Sequence, residues 1–251
     1  MRRGWEVLAA LIASDLRARY GRGKVRLLKW LLDPFALVGV YLLLVTFVLD
    51  RPGEAPGLSL ACAVIPFQLV MMSVSNGINA VRLRRSIILN TAFPGSLIPL
   101  SGALTEAVAF SASLSLLALM MVVYSIAPTA AVLWLPVVLA VNLLLAIAVA
   151  YAASLIGLWF RELRPFLISF VRALFFLAPG LVPLAAVGGD AYELLKLNPL
   201  TGLFEAFRAV LLEGHRPAAW QLLYPTAIAL LLLAAFLPVY RRDARDFAKV
   251  V

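Results

Sequence analysis

The sequence predicts an all-α polytopic membrane protein. Six transmembrane helices are expected, with an amphipathic interfacial helix at the amino end and a re-entrant or surface-helix segment before the last span. Three observations predict it. From Leu27 to Tyr240 the chain is a near-continuous series of apolar runs, and roughly 20 helical residues cross a hydrocarbon core about 30 Å thick. Hydrophobic residues make up 63% of the 251 and charged ones 14%, well under the roughly 25% usual in soluble domains. Mean hydropathy is +0.98, and the basic residues fall almost entirely between the apolar runs. Too little lies outside those runs to bury a second core, so residues 1–251 read as one transmembrane domain.

At the amino end Trp5, Leu8, Ile12 and Leu16 recur at helical spacing among Asp15, Arg17, Arg19 and Arg22. This predicts a helix over 5–22 lying in the membrane interface, with its arginines near anionic lipid. The first span is expected over 30–49 and the second over 58–81, separated by a polar turn rich in proline and charge. The connection at 82–90 opens with Arg82, Arg84 and Arg85 and continues with Ile87, Ile88 and Leu89. Spans three and four are expected over 97–124 and 131–160, the latter carrying Pro136 and Asn142 and so tilted or kinked. A fifth, over 165–187, weakens at Pro179 and Gly180. Asn198 and Pro199 look like an N-cap and first helical position, and Gly214 like the stop. The helix between them puts Leu203, Phe204, Phe207, Val210 and Leu211 on one face, with Glu205 and Arg208 off it, and is expected at the surface. The last span is expected over 222–240.

Seventeen of the 22 lysines and arginines fall on one side if both termini lie together. The positive-inside rule therefore puts both termini in the cytoplasm and requires an even number of crossings. That rule also accounts for the net charge of +9, so no nucleic-acid partner is implied. The one cysteine, Cys62, cannot form an internal disulfide and reads as a small buried hydrophobe.

Catalytic equipment is sparse. The single histidine, His215, lies in a loop; no metal-binding, nucleophile-elbow or nucleotide-binding motif occurs. If ATP drives this protein, a separate subunit must hold it. Glu106 and Arg172 are the intramembrane charges, each unfavourable in lipid by something like 2.5–3.5 kcal/mol. They mark either a translocation path or subunit seam, or a structural pair and a snorkelling side chain. The aromatics Tyr41, Phe47, Phe67, Phe175 and Phe176 could line a path for sugar rings or simply pack. No metal or cofactor is expected in the chain itself.

Local motifs go further. Asp15-Leu16-Arg17-Ala18-Arg19-Tyr20 precedes Trp30 and Pro34; Ala92-Phe93-Pro94 precedes Leu97-Ile98-Pro99-Leu100; Asn198-Pro199-Leu200 leads to Glu205-Ala206-Phe207-Arg208. In this order they resemble the type-2 ABC (ABC-2) exporter permeases that move O-antigen, capsule or teichoic-acid polysaccharides. The resemblance covers nearly the whole chain.

It implies a homodimer of six-span subunits in the bacterial cytoplasmic membrane, working with two cytoplasmic ABC ATPase subunits that bind ATP and Mg. It maps the family's coupling helix onto 82–90, with Arg82, Arg84 and Arg85 as the ATPase contact, and its outward gate onto 181–213. Relatives carry an arginine–aspartate pair after the fourth span; this chain has Arg161-Glu162. The cargo expected is a lipid-linked glycan, and the expected role is that of a transport subunit, not an enzyme. Two other readings remain: an ABC-2 permease for a drug or lipid, and a membrane-embedded enzyme acting on lipid.

Overall fold

The computed structural model describes residues 2–20, 55–85, 94–181, 183–184 and 190–243, together with 32, 35–36, 38–40, 43 and 88. Every regular element among them is helical. We number the α-helices α1 (Arg2–Tyr20), α2 (Pro56–Leu83), α3 (Leu97–Val123), α4 (Leu135–Trp159), α5 (Arg164–Leu177), α6 (Asp190–Lys196), α7 (Pro199–Leu211) and α8 (Ala219–Asp243). A 3₁₀ turn, Ala130–Trp134, leads into α4, and another, Arg161–Leu163, joins α4 to α5. The expected first span at 30–49, with Tyr41 and Phe47, lies mostly outside the described residues.

Four helices among the described residues are long and apolar enough to cross a bilayer: Pro56–Leu83, Leu97–Val123, Ala130–Trp159 and Ala219–Arg242. The fifth expected crossing differs from its 165–187 forecast. Its helix, α5, ends after 14 residues; at about 1.5 Å per residue it reaches about 21 Å, short of the about 30 Å needed. Pro179 cannot continue the ladder, and the chain turns at Gly180.

α2 is the hub, packing against α3, α4, α5 and α7. Without a hydrophobic drive between helices in lipid, close backbone approach through small residues holds spans together. A Cβ on Gly77 would sit 2.8 Å from the Ala150 carbonyl oxygen, and one on Gly157 would collide with the Ile78 carbonyl. α2 and α4 therefore run side by side almost backbone to backbone.

Cross-links fix which ends lie together. Arg84 Nη1 donates to the Ile98 carbonyl at 3.2 Å, Tyr151 Oη to the Ser96 carbonyl at 2.7 Å, and Ser154 Oγ to Tyr240 Oη at 3.3 Å. The carboxyl ends of α2, α4 and α8 and the amino end of α3 thus share one end of the bundle. At the other, the Gly57 amide donates to Tyr124 Oη at 3.1 Å, and Thr129 Oγ1 to the Gly214 carbonyl at 3.0 Å. The described arginines at the carboxyl ends of α2, α4 and α8 consequently gather at one end.

The segment before the last span departs from expectation in one respect. Asn198 caps α7 as forecast, its side chain accepting from the Leu200 amide at 3.0 Å, and Gly214 stands beyond the helix at φ +70. But α7 is no surface helix: every residue from Leu200 to Leu211 is buried. Its two charges neutralise each other and satisfy backbone carbonyls, which lets a helix of mixed faces sit inside. The surface helix is α6 instead. There Lys196 Nζ donates to Glu193 at 3.0 Å and lies 4.1 Å from the Tyr192 ring centroid.

Candidate functional site

Of the three arginines expected to meet an ATPase, Arg82 and Arg85 are exposed and Arg84 turns inward. Arg84 is only 9% exposed. It pairs with the Asp15 carboxylate of α1 and also holds the Ile98 carbonyl at the start of α3. The end of α2 is thus clamped to two other helices by one side chain. Past Arg85 in the 82–90 connection only Ile88 is described, its amide donating to the Arg84 carbonyl at 3.0 Å.

α1 is placed by the same clamp and by Leu8, Leu11 and Leu16, which are buried, while Trp5 is 71% exposed. This amphipathic division puts an apolar seam against α3 and an aromatic outward. α1 thus lies beside the arginine-rich end of the bundle.

The two expected intramembrane charges fare differently. Glu106 is buried in α3 and accepts from Asn76 Nδ2 on α2, a polar clip between neighbouring spans. Arg172, on α5, is exposed. Among the aromatics, Phe67 and Phe175 stack with centroids 4.6 Å apart, and Phe204 of α7 meets Phe175 edge-on at 5.8 Å. All three are buried. Phe176 points away, 58% exposed. The structure therefore brings Phe67 and Phe175 together as core and leaves Arg172 and Phe176 on the outer face of α5.

Sequence reasoning missed the densest polar constellation. Arg208 of α7, fully buried, donates from Nη1 to Glu205 Oε1 at 2.6 Å and to the Pro179 carbonyl at 3.0 Å. Its Nη2 reaches the Gly180 carbonyl at 3.2 Å, and its Nε reaches Ser59 Oγ at 3.2 Å. Glu205 Oε1 also accepts from the Leu184 amide at 3.0 Å. One ion pair thus supplies partners for the backbone of the broken segment after α5 and pins it to the start of α2. Such a turn is tolerated at membrane depth only when protein groups satisfy it. The i, i+3 spacing of Glu205 and Arg208 was the available signal, because it allows the two side chains to pair.

His215 lies exposed, its Nε2 2.6 Å from Glu213 Oε2. No group of three or more histidine, cysteine, aspartate or glutamate side chains among the described residues could hold a metal ion.

No protein-family model matches the chain. Similarity to curated proteins is extensive. The chain is 27% identical over 247 residues to an O-antigen export system permease protein RfbA of Myxococcus xanthus, covering 98% of this chain and 95% of that protein. It is 22% identical over 249 residues to the protein of that name from Klebsiella pneumoniae, with the same coverage. The resemblance to ABC-2 polysaccharide-export permeases is borne out. It extends from the amphipathic amino-terminal helix through the final span, so the arginine end and the Glu205–Arg208 hub both lie within the shared length.

Proposed function

We propose that this chain is the membrane-spanning permease subunit of an ATP-binding-cassette exporter that moves a lipid-linked polysaccharide across the cytoplasmic membrane. The observation that carries the reading is similarity along 98% of the chain to O-antigen export permeases, in a helical bundle with four membrane-length helices among its described residues. The working unit is a homodimer with two cytoplasmic ATPase subunits, which bind ATP and Mg. Both termini face the cytoplasm, and the crossings number six. In this reading 30–49 forms the first, and α5 with the segment after it forms the fifth.

Coupling runs through the connection that follows α2. When the ATPases close on ATP, they push on 82–90 through Arg82 and Arg85. The Arg84 clamp gives that push a path: the end of α2, α1 and the start of α3 move together. On the far side the Glu205–Arg208 hub holds the broken segment after α5 against α2, so tilting α2 works on the outward half. Arg172 and Phe176 are the described path candidates left on an open face.

Purification of the tagged chain from native membranes in mild detergent tests the assignment. A co-purifying subunit with nucleotide-binding motifs, at equal stoichiometry, is the expected result. Recovery of the chain alone, with lipid-modifying activity of its own, overturns it.

A further inference from the structure

Four arginines from three elements converge where α2 and α4 end. Arg82 and Arg85 from the end of α2, Arg161 from the 3₁₀ turn and Arg164 from the first turn of α5 surround a pocket of about 170 Å³ floored by Gly157. None of the four forms a salt bridge among the described residues. Glu162, the neighbouring carboxylate, is exposed and pairs with none of them. Arg164 is fixed in place: its Nε and Nη2 both donate to the Gly157 carbonyl, at 3.1 and 2.6 Å. Four like charges gathered in a concavity repel one another unless an anion joins them.

A second feature, of opposite character, has its lining within about one helical turn of the pocket's on α2 and α4. A groove of about 300 Å³ runs between α2, α4, α5, α7 and α8, and its walls are almost wholly apolar. Ile156 lines the groove next to Gly157 in the pocket, and Leu167 lines it one turn beyond Arg164. Further along, Phe170, Val171 and Leu232 continue the apolar wall. A cationic cup within about one helical turn of an apolar trough matches an amphiphile with a phosphate head and a hydrocarbon tail. An ATPase contact at Arg82 and Arg85 would leave the trough empty. Guanidinium forks suit phosphate oxygens, which accept paired N–H donors.

We propose that Arg82, Arg85, Arg161 and Arg164 form a binding site for a lipid-borne phosphate group, whose hydrocarbon chain lies in the groove between α4, α5 and α8. The phosphate comes either from a phospholipid headgroup or from the lipid carrier of the cargo. Only the second source rests on the exporter reading.

The purified complex in nanodiscs of phosphatidylcholine is titrated with radiolabelled farnesyl diphosphate, with inorganic pyrophosphate, and with phosphatidylglycerol as competitor. Farnesyl diphosphate binds at least 10-fold tighter than pyrophosphate. Arg85→Gln with Arg161→Gln weakens it 10-fold or more, while Arg241→Gln with Arg242→Gln, the same charge removed elsewhere at this end, changes it less than 2-fold. Phe170→Gln weakens farnesyl diphosphate and leaves pyrophosphate unchanged. Full competition by phosphatidylglycerol assigns the site to membrane phospholipid, and weak competition assigns it to the carrier; both support a lipid-phosphate site. Equal losses in the two double variants, equal affinity for farnesyl diphosphate and pyrophosphate, or loss of ATPase association with lipid binding intact would overturn it. The exporter reading fails separately, when no ATPase accompanies the chain.

Discussion

Arg208 and Glu205 form an ion pair at 2.6 Å with the arginine fully out of contact with solvent. Removing one partner leaves the other charge buried without compensation, which is far worse than removing both. Arg208→Met alone should lower stability by about 3–5 kcal/mol, and Glu205→Gln combined with Arg208→Met should recover much of that. Thermal unfolding in detergent, read by intrinsic tryptophan fluorescence, checks the ranking.

The Arg84–Asp15 pair links α2 to α1, and charge-assisted hydrogen bonds are worth about 1.5–3 kcal/mol. Asp15→Asn should loosen α1 without unfolding the spans. Hydrogen exchange over residues 2–20 should quicken while α2 and α4 keep their protection. Swapping the charges, Asp15→Arg with Arg84→Asp, should restore part of the loss.

Gly157 sits where the backbone of α2 passes. Gly157→Ala drives its Cβ into the Ile78 carbonyl, so the two helices must separate; a loss at the upper end of about 1–3 kcal/mol is expected. Gly102 is the control, because a Cβ there meets nothing within 4 Å. Gly102→Ala should be neutral or stabilising by up to about 1 kcal/mol. Melting temperatures of the two variants decide this.

The sequence disclosed what periodicity and composition encode and little of what pairing encodes. Apolar runs of membrane length mark α2, α3, α4 and α8, because lipid demands about the same helix of every span. Asn198, Pro199 and Gly214 announced the ends of α7 because capping is a local, backbone-level requirement. What escaped was the fate of charge. Glu205 and Arg208 looked like solvent-facing residues because a helical wheel shows the face they occupy, not the partners that neutralise them. Arg84 was read with Arg82 and Arg85 as one basic run, yet a helix turns about 100° per residue, so neighbours face different ways. Asp15, its partner, lies 69 positions away, beyond any local pattern. α5 was forecast too long because apolarity continues past Leu177 while Pro179 ends the helix.

Arg82→Glu with Arg85→Glu should leave membrane insertion and ATPase association measurable while export falls at least 10-fold. Surface polysaccharide set against the amount of chain in the membrane measures this. Unchanged export would remove both residues from the coupling path.

Depletion of the chain from living cells reads its part in export without any purified component. Polysaccharide synthesis should continue and lipid-linked glycan should accumulate inside, with surface glycan falling as the protein is lost. Normal surface glycan after complete depletion would contradict that role in export.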